Sequence, residues 1–524
     1  MLDWELDDST EEEADYDDMY QPSSRLQDSA SRYENVQFDE MTVEDDKSPV
    51  EQEKFIVFEG ALLQILKSLP KCRCAGSKKV YKRLMGSALL AKIVCQECSE
   101  TVYWESQPKR RNTYWGNILI SAAILFSGSL ASKALRVFSF ANIKVHCRRT
   151  FYYHQKHYLR QAVRTVWKRL QSGLLDGLRG RQLMLGGDAR CDSMGHSAKY
   201  GTYSLLDIEQ NKIVATEMVQ SNQVKNSYNM ELKGLQLCRD TLGEQDIKAF
   251  ITDRHPQIAK WVREKWKVPH FYDCWHIVKS VVKKMEIIAK KKGFEIISDW
   301  IKSVKNHLYW AVLTSSGDPD EIENRWRATM EHVQGIHKNC THGRLVGRRK
   351  KNYLKRGSAA AVELEEKLTG TRLINDIRKM STLGQTSGVE NFHMLINQFA
   401  PKMFAFAFET MTTRVYLAAL HYNENAGRAK ATTNDGAARY NVVYPKYKKG
   451  SYTVKKILTN CTYDYVADCF EEVMKLAQDK GYREANLLEN PMPEIPPSLT
   501  SSFQNRLPKE EAIAAGHQSR FNKL

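Results

Sequence analysis

The feature that most constrains this chain is a change of texture at residue 182. Three runs follow in succession: QLMLGGD (182–188), KYGTYSLLDI (199–208) and KIVATEMVQ (212–220), each apolar or alternating and separated from the next by turn residues. Two-residue alternation bounded by Gly, Asn and Asp predicts three consecutive strands of a meander. NSYNMELKGLQLCRDTL (226–242) comes next, a predicted helix with its apolar residues on one side. IKAFITD (247–253) is a short apolar strand ending in Asp253, HPQIAKWVREKW (255–266) a helix, and PHFYDCWHIVKSVV (269–282) a strand running into another helix. The predicted order is βββαβαβα.

That order belongs to an α/β architecture of the RNase H-like type, in which the first and fourth strands sit side by side at the middle of the sheet. Asp188 and Asp253 would then end two neighbouring strands, with their carboxylates a few ångströms apart. Such a pair repels itself unless a cation lies between them, and hard divalent ions with oxygen ligands, Mg²⁺ or Mn²⁺, suit the site. A third carboxylate is expected from STLGQTSGVENFHMLINQFA (381–400), where Ser387 would cap a helix with Glu390 in its first turn and Phe392, Leu395, Ile396 and Phe399 on its buried side. Asp188, Asp253 and Glu390 together would hold two ions for phosphodiester chemistry, one activating a water or 3′-hydroxyl and the other stabilising the leaving oxygen. Each acid also has a plainer reading: Asp188 as a turn residue, Asp253 as a helix cap, Glu390 as an acid favoured by the helix dipole. The strand order favours the metal reading.

The formal charge of +16 hides a split. Residues 1–54 hold 19 acids against 4 bases, which leaves 43 acids against 74 bases, about +31, on the remaining 470 residues. A field of that size attracts polyanions. The acidic, Ser-rich stretch 1–54 is poor in aliphatics and is expected to be a disordered tail, either merely solvated or an internal competitor that covers the basic body. Its acidic start is unlike a signal peptide. The longest strongly apolar run, ILISAAILF (118–126), is too short to span a bilayer, so no membrane partner is expected. Eleven cysteines, an odd number spread over a long chain, point to reduced thiols or metal ligands rather than a disulfide framework.

Cys72, Cys74, Cys95 and Cys98 have the separation of two zinc-ribbon knuckles, although the first is C-x-C where ribbons usually carry C-x-x-C; four unrelated cysteines are the alternative. They define a zinc-ribbon-like module over 55–108. Residues 109–180 read as a helical, helix-turn-helix-like DNA-binding region broken at Gly128 and Ser129. Its last helix mixes Arg148, Arg149, His154, Lys156 and Arg160 with Phe151, Tyr152, Tyr153 and Tyr158, which suits either a phosphate backbone or a solvated basic face over an aromatic core stripe. The core would occupy 181–280, a helical insertion 281–380, the last core helix with Glu390 381–430, a C-terminal helical region 431–490 and a flexible tail 491–524. Within the insertion, His332, His337, Cys340 and His342 are a candidate second zinc site of irregular spacing. RRKKNYLKR (348–356) suggests nuclear import or phosphate contact, with a solvated loop as the alternative.

GGDARCDSMGHSAKYGTY, FITDRHPQIAKW, FYDCWHIVK, KNHLYW, QTSGVENFH and LAALHYNENAGR, in that order, resemble the DDE transposases of eukaryotic cut-and-paste DNA elements, most closely the Kolobok-like group, with the ISL3, hAT and Mutator-like families as cousins. The resemblance runs from about residue 70 to 450 and is specific as a set. It implies a Mg²⁺- or Mn²⁺-dependent nuclear enzyme that cleaves and joins double-stranded DNA at transposon ends and target, working as a homodimer or higher oligomer. Asp188, Asp253 and Glu390 match the D, D and E. Asp273, Cys274 and His276 resemble the signature after the second aspartate, where His276 would position DNA or support the metal site, or serve as a core histidine. An acidic tail stands where some members carry a THAP finger, so recognition of DNA ends would fall to residues 60–172. The alternatives are a domesticated descendant that binds DNA or chromatin without catalysis, and an RNase H-like nuclease acting on RNA or branched DNA.

Overall fold

A computed structural model of the chain describes residues 76–110, 113–193, 198–226, 228–340, 352–384, 386–433, 435–446, 450–491, 493–499 and 507–516, with 37, 39–40, 55–58, 60, 61, 65, 72 and 74. Strands β1 (Lys78–Met85), β2 (Ala88–Cys95) and β3 (Thr101–Glu105) form an antiparallel sheet with the short strand Asp39–Glu40 at its edge. Among the described residues, Ala88, Leu90 and Tyr114 are buried together there.

Helices α1 (Trp115–Phe126) and α2 (Ala131–Phe140) are separated at Gly128, whose φ of +76° suits glycine. Helix α3 (Arg148–His154) continues through a π-helical turn at Gln155–Leu159 into α4 (Arg160–Gly177).

The alternating runs form strands because each pairs with the next. Strands β4 (Gln182–Cys191), β5 (Tyr200–Asp207) and β6 (Lys212–Gln220) are an antiparallel meander. Helix α5 (Tyr228–Leu242), strand β7 (Asp246–Thr252), helix α6 (Pro256–Trp261) and strand β8 (His270–Tyr272) complete a five-stranded sheet of order β8-β7-β4-β5-β6. Strand β7 lies parallel to β4 and to β8, so the first and fourth strands are neighbours. On one face Leu183, Leu185, Leu205 and Phe250 pack with Leu235 and Ile258 from α5 and α6.

Helices α7 (Cys274–Ala289), α8 (Ile297–Thr314), α9 (Pro319–His332), α10 (Ala359–Thr369) and α11 (Thr371–Ile377) bury an apolar core of their own that includes Trp300, Trp326 and Leu364. Their starts are chemically defined: Asp273 caps α7, Asp318 caps α9 ahead of Pro319, and Ser358 caps α10.

Helices α12 (Ser387–Phe399) and α13 (Phe408–Asn425) return the chain to the sheet. Leu206, Ile213, Val389, Phe392, Ile396 and Leu417 share a core there with α1 and α4. Nearly all of α13 is buried, as expected for a helix with cover on all sides. Its Arg414, 1% exposed, donates to the carbonyls of Phe399 (2.6 Å), Gly128 (3.0 Å) and Ser129 (2.9 Å), fastening the end of α12 to the α1–α2 turn. A hairpin of Tyr440–Val443 with Thr453–Lys456 precedes α14 (Asp464–Gln478) and α15 (Lys480–Glu489). No helix among the described residues is long and apolar enough to cross a membrane.

Candidate active site

The β4–β7 register carries Asp188 and Asp253 to the same place. Gly187 pairs with Thr252, so the two aspartates are the next residues along adjacent parallel strands, whose backbones lie about 4.8 Å apart. Sequence reasoning ended β4 at Asp188, whereas the strand runs on to Cys191 because β5 continues to pair with it, Asp188 opposite Ser204. Asp188 is therefore no turn residue. Nor does Asp253 cap a helix: His255 is the cap of α6, its ring nitrogen accepting from the Ile258 amide. The glycine before Asp188 has a packing cause. A Cβ at Gly187 would come within 2.7 Å of the Tyr203 hydroxyl and 2.8 Å of the Phe250 ring.

Glu390 arrives on the first turn of α12, but Ser387 is not its cap. The helix starts at Ser387 itself, and no side chain caps it. The Thr386 amide and hydroxyl instead donate to Asp273 Oδ2, each at 2.7 Å, while Asp273 Oδ1 accepts from the Trp275 amide at 2.7 Å. Asp273 thus joins the starts of α7 and α12 with a carboxylate that is 2% exposed. Burial alone would raise it; His276, Thr386 and Trp275 hold it well below the usual carboxylate range.

His276 stands among the acids. Its Nδ1 is 2.7 Å from Asp253 Oδ1 and 3.8 Å from Asp273 Oδ1, and its Nε2 is 3.7 Å from Glu390 Oε1. Burial opposes its charge, yet Asp253 and Asp273 push the imidazole up to about 10, so it is a cation at neutral pH. The Asp253 contact is an ion pair without the alignment of a hydrogen bond, and both atoms are shielded from solvent. Glu390 is raised by burial and by Asp188, Asp273 and Asp253, against the pull of His276.

Two further residues face this cluster that the sequence did not single out. His393, one turn beyond Glu390 on α12, places Nδ1 3.3 Å from Asp188 Oδ2 and Nε2 3.4 Å from Ser204 Oγ. The Glu390–His393 spacing of three residues was the available signal. Glu231 on α5 is raised to about 7 by burial and by the charges of Asp188 and Asp253, and its Oε2 lies 3.5 Å from His255 Nε2. Nothing in the local sequence distinguishes Glu231 from other acids in first turns.

Two groups among the described residues bring three or more donor atoms within 4.8 Å of one another: Cys72, Cys74, Cys95 and Cys98; and His332, His337 and Cys340. The acidic triad is not one of them, and the His276 ring stands between Asp253 and Glu390. A single-ion cage is therefore not what the acids form. Two ions about 4 Å apart ask less: oxygens bound to different ions can lie further from one another. The all-oxygen donor set suits hard divalent cations, which would have to take the place of the His276 imidazolium beside Asp253 Oδ1.

The four cysteines could hold zinc. Cys95 closes β2 and Cys98 follows in the turn, where Ser99 takes φ +58°. The amides of Cys98 and Glu97 point at the Cys95 sulfur and lower its thiol to about 7, while sharing with Cys98 raises Cys74 to about 12. One thiolate stabilised by knuckle amides and thiols crowded beside it are the chemistry of a tetrahedral thiolate site. His342 lies outside the described residues. In the helical region, Arg148, Arg149 and Lys156 are exposed, as are Lys133 and Arg136 on α2. Arg160 is turned inward, bonding Glu409 at 2.8 Å and Thr410 at 2.9 Å, and is unavailable to phosphate.

No protein-family model matches the chain, and no curated protein matches it.

Proposed function

We propose that this chain is a DDE-type DNA transposase with an RNase H-like core, of the Kolobok-like kind its motifs resemble, acting in the nucleus on the ends of its own element as a dimer or larger assembly. The observation that carries the reading is that Asp188 and Asp253, 65 positions apart, follow paired residues of adjacent parallel strands, while Asp253 and Glu390, 137 positions apart, flank the His276 ring. Asp188, Asp253 and Glu390 would hold Mg²⁺ or Mn²⁺, which supplies activation of a water or 3′-hydroxyl and stabilisation of the leaving oxygen.

The chain's own groups prepare that site. Asp273 fixes the approach of α12 through Thr386, so Glu390 is delivered at a set height above the sheet. His393 restrains the Asp188 carboxylate, and charged His276 offsets the repulsion among Asp253, Asp273 and Glu390. Zinc at Cys72, Cys74, Cys95 and Cys98 would tie the end of β2 and its turn to the segment before β1. The exposed bases of α2 and α3 would meet duplex phosphates.

The test is cleavage, with Mg²⁺, of DNA carrying the genomic flanks of the element by wild type and Asp253→Asn. Wild type is expected to cut, and the variant to bind the same DNA without cutting. Equal cutting by both removes Asp253 from the mechanism; binding without cutting by wild type supports a domesticated DNA-binding protein instead.

A further inference from the structure

The far end of α9 carries chemistry that the proposed reaction does not use. Helix α9 ends at His332, and Gly335 (φ +74°) reverses the chain so that the Ile336 amide bonds back to the Glu331 carbonyl at 3.0 Å. The reversal brings His337 and Cys340 beside His332. His332 Nδ1 lies 3.3 Å from Cys340 Sγ, and His337 Nδ1 3.8 Å from the same sulfur. For a tetrahedral zinc ion with bonds of about 2.3 Å to sulfur and 2.05 Å to nitrogen, the nitrogen–sulfur separation is about 3.5 Å. The two observed separations bracket it. The surroundings are built as well: the His332 ring stands edge-on to Trp300 (5.9 Å) and to His337 (4.7 Å, 87°), and His337 edge-on to Tyr353 (6.1 Å). Asn339 donates to Glu331 Oε2 at 2.8 Å, closing the turn.

We propose that His332, His337 and Cys340 bind a zinc ion, through two imidazole Nδ1 atoms and one thiolate, that clamps the end of α9. The site is separate from the acidic cluster and does not depend on the proposed reaction. Its place gives it a purpose. Twelve residues beyond Cys340 the chain is held to the same scaffold: Trp300 Nε1 donates to the Asn352 carbonyl at 2.9 Å and the Leu354 amide to the Val333 carbonyl at 2.9 Å. Segment 341–351 has five bases and no acid in its sequence, so the ion would fix the point from which a strongly cationic stretch departs.

The experiment is zinc counting on the full chain, purified without chelators, for wild type, Cys340→Ser, His337→Gln and Cys98→Ser, with circular dichroism to confirm folding. Cys340→Ser and His337→Gln are each expected to contain about one zinc fewer per chain than wild type. Zinc equal to wild type in both folded variants overturns the proposal. Cobalt substitution in a background with Cys72, Cys74, Cys95 and Cys98 all replaced by Ser keeps it testable if either variant is unstable: a thiolate-to-cobalt charge-transfer band supports the site, and no such band refutes it.

Discussion

Lowering the pH from 7.5 to 5.0 should loosen the helical region at one buried junction. Ser121 of α1, fully buried, has its Oγ 2.9 Å from His146 Nε2 and 2.9 Å from His154 Nδ1. His146 Nδ1 lies 3.1 Å from the Cys147 carbonyl and donates there; neutral His154 then donates to Ser121, whose single proton is shared between the Asn117 carbonyl at 3.0 Å and His146 Nε2. Burial first, and then the charge of His146, hold the His154 imidazole down to about 3 from 6.5. The sign follows from linkage. The unfolded chain takes up a proton below pH 6.5 that folded His154 refuses until about 3, so stability is lost as pH falls through that window. At pH 5.0 the deficit is about 2 kcal/mol from His154 alone, against almost nothing at pH 7.5. His146, also lowered by burial, adds to it in the same direction. Hydrogen exchange of α1 and α3 amides at the two pH values, corrected for intrinsic rates, reads the opening free energy. His154→Gln, which keeps a polar partner for Ser121 but cannot ionise, should lose about 2 kcal/mol of the wild-type pH effect. An identical pH effect in the two proteins would refute the reasoning.

Two further perturbations probe the architecture around the acids. Asp273→Asn should cost about 2–4 kcal/mol, because the Thr386 amide and hydroxyl lose a charged acceptor at a buried site; faster exchange of the first turn of α12, against unchanged exchange in α5, checks it. Gly187→Ala should destabilise by about 1–3 kcal/mol through contact with Tyr203 and Phe250, measured as a lower denaturation midpoint, whereas Gly177→Ala, with open space around it, should not.

The parts of this molecule that were legible in the sequence are those written in local period. QLMLGGD, KYGTYSLLDI and KIVATEMVQ alternate at the spacing of a strand; β4 and β6 cover the first and third in full, and β5 covers the second but for Lys199 and Ile208. Asp188, Asp253 and Glu390 could be picked out because each sits where a periodic segment changes. Arg160 misled for the same reason: its place in a basic, aromatic helix says nothing of the Glu409 and Thr410 that draw it inward, some 250 residues later. Glu231 was invisible because its environment is made by other strands. Ser387 is a good local candidate for the cap of α12, but the helix starts there uncapped, and the group that holds its approach, Asp273, is 113 residues away.

The Asp273–Thr386 link bears on how Glu390 is held relative to the two aspartates. Asp253 leaves β7 only twenty residues before Asp273 caps α7, while Glu390 enters on a helix separated from both by a five-helix core. A backbone span of that length sets no distance by itself. Asp273 supplies the constraint by binding Thr386, the residue that opens α12, so shifts in the intervening helices are decoupled from Glu390. His276 then reads the result, since one ring reaches Asp253 with Nδ1 and Glu390 with Nε2. Losing the Asp273–Thr386 link would let Glu390 drift from that ring while leaving the Asp188–Asp253 pairing intact, because the pair is fixed by the parallel ladder of β4 and β7.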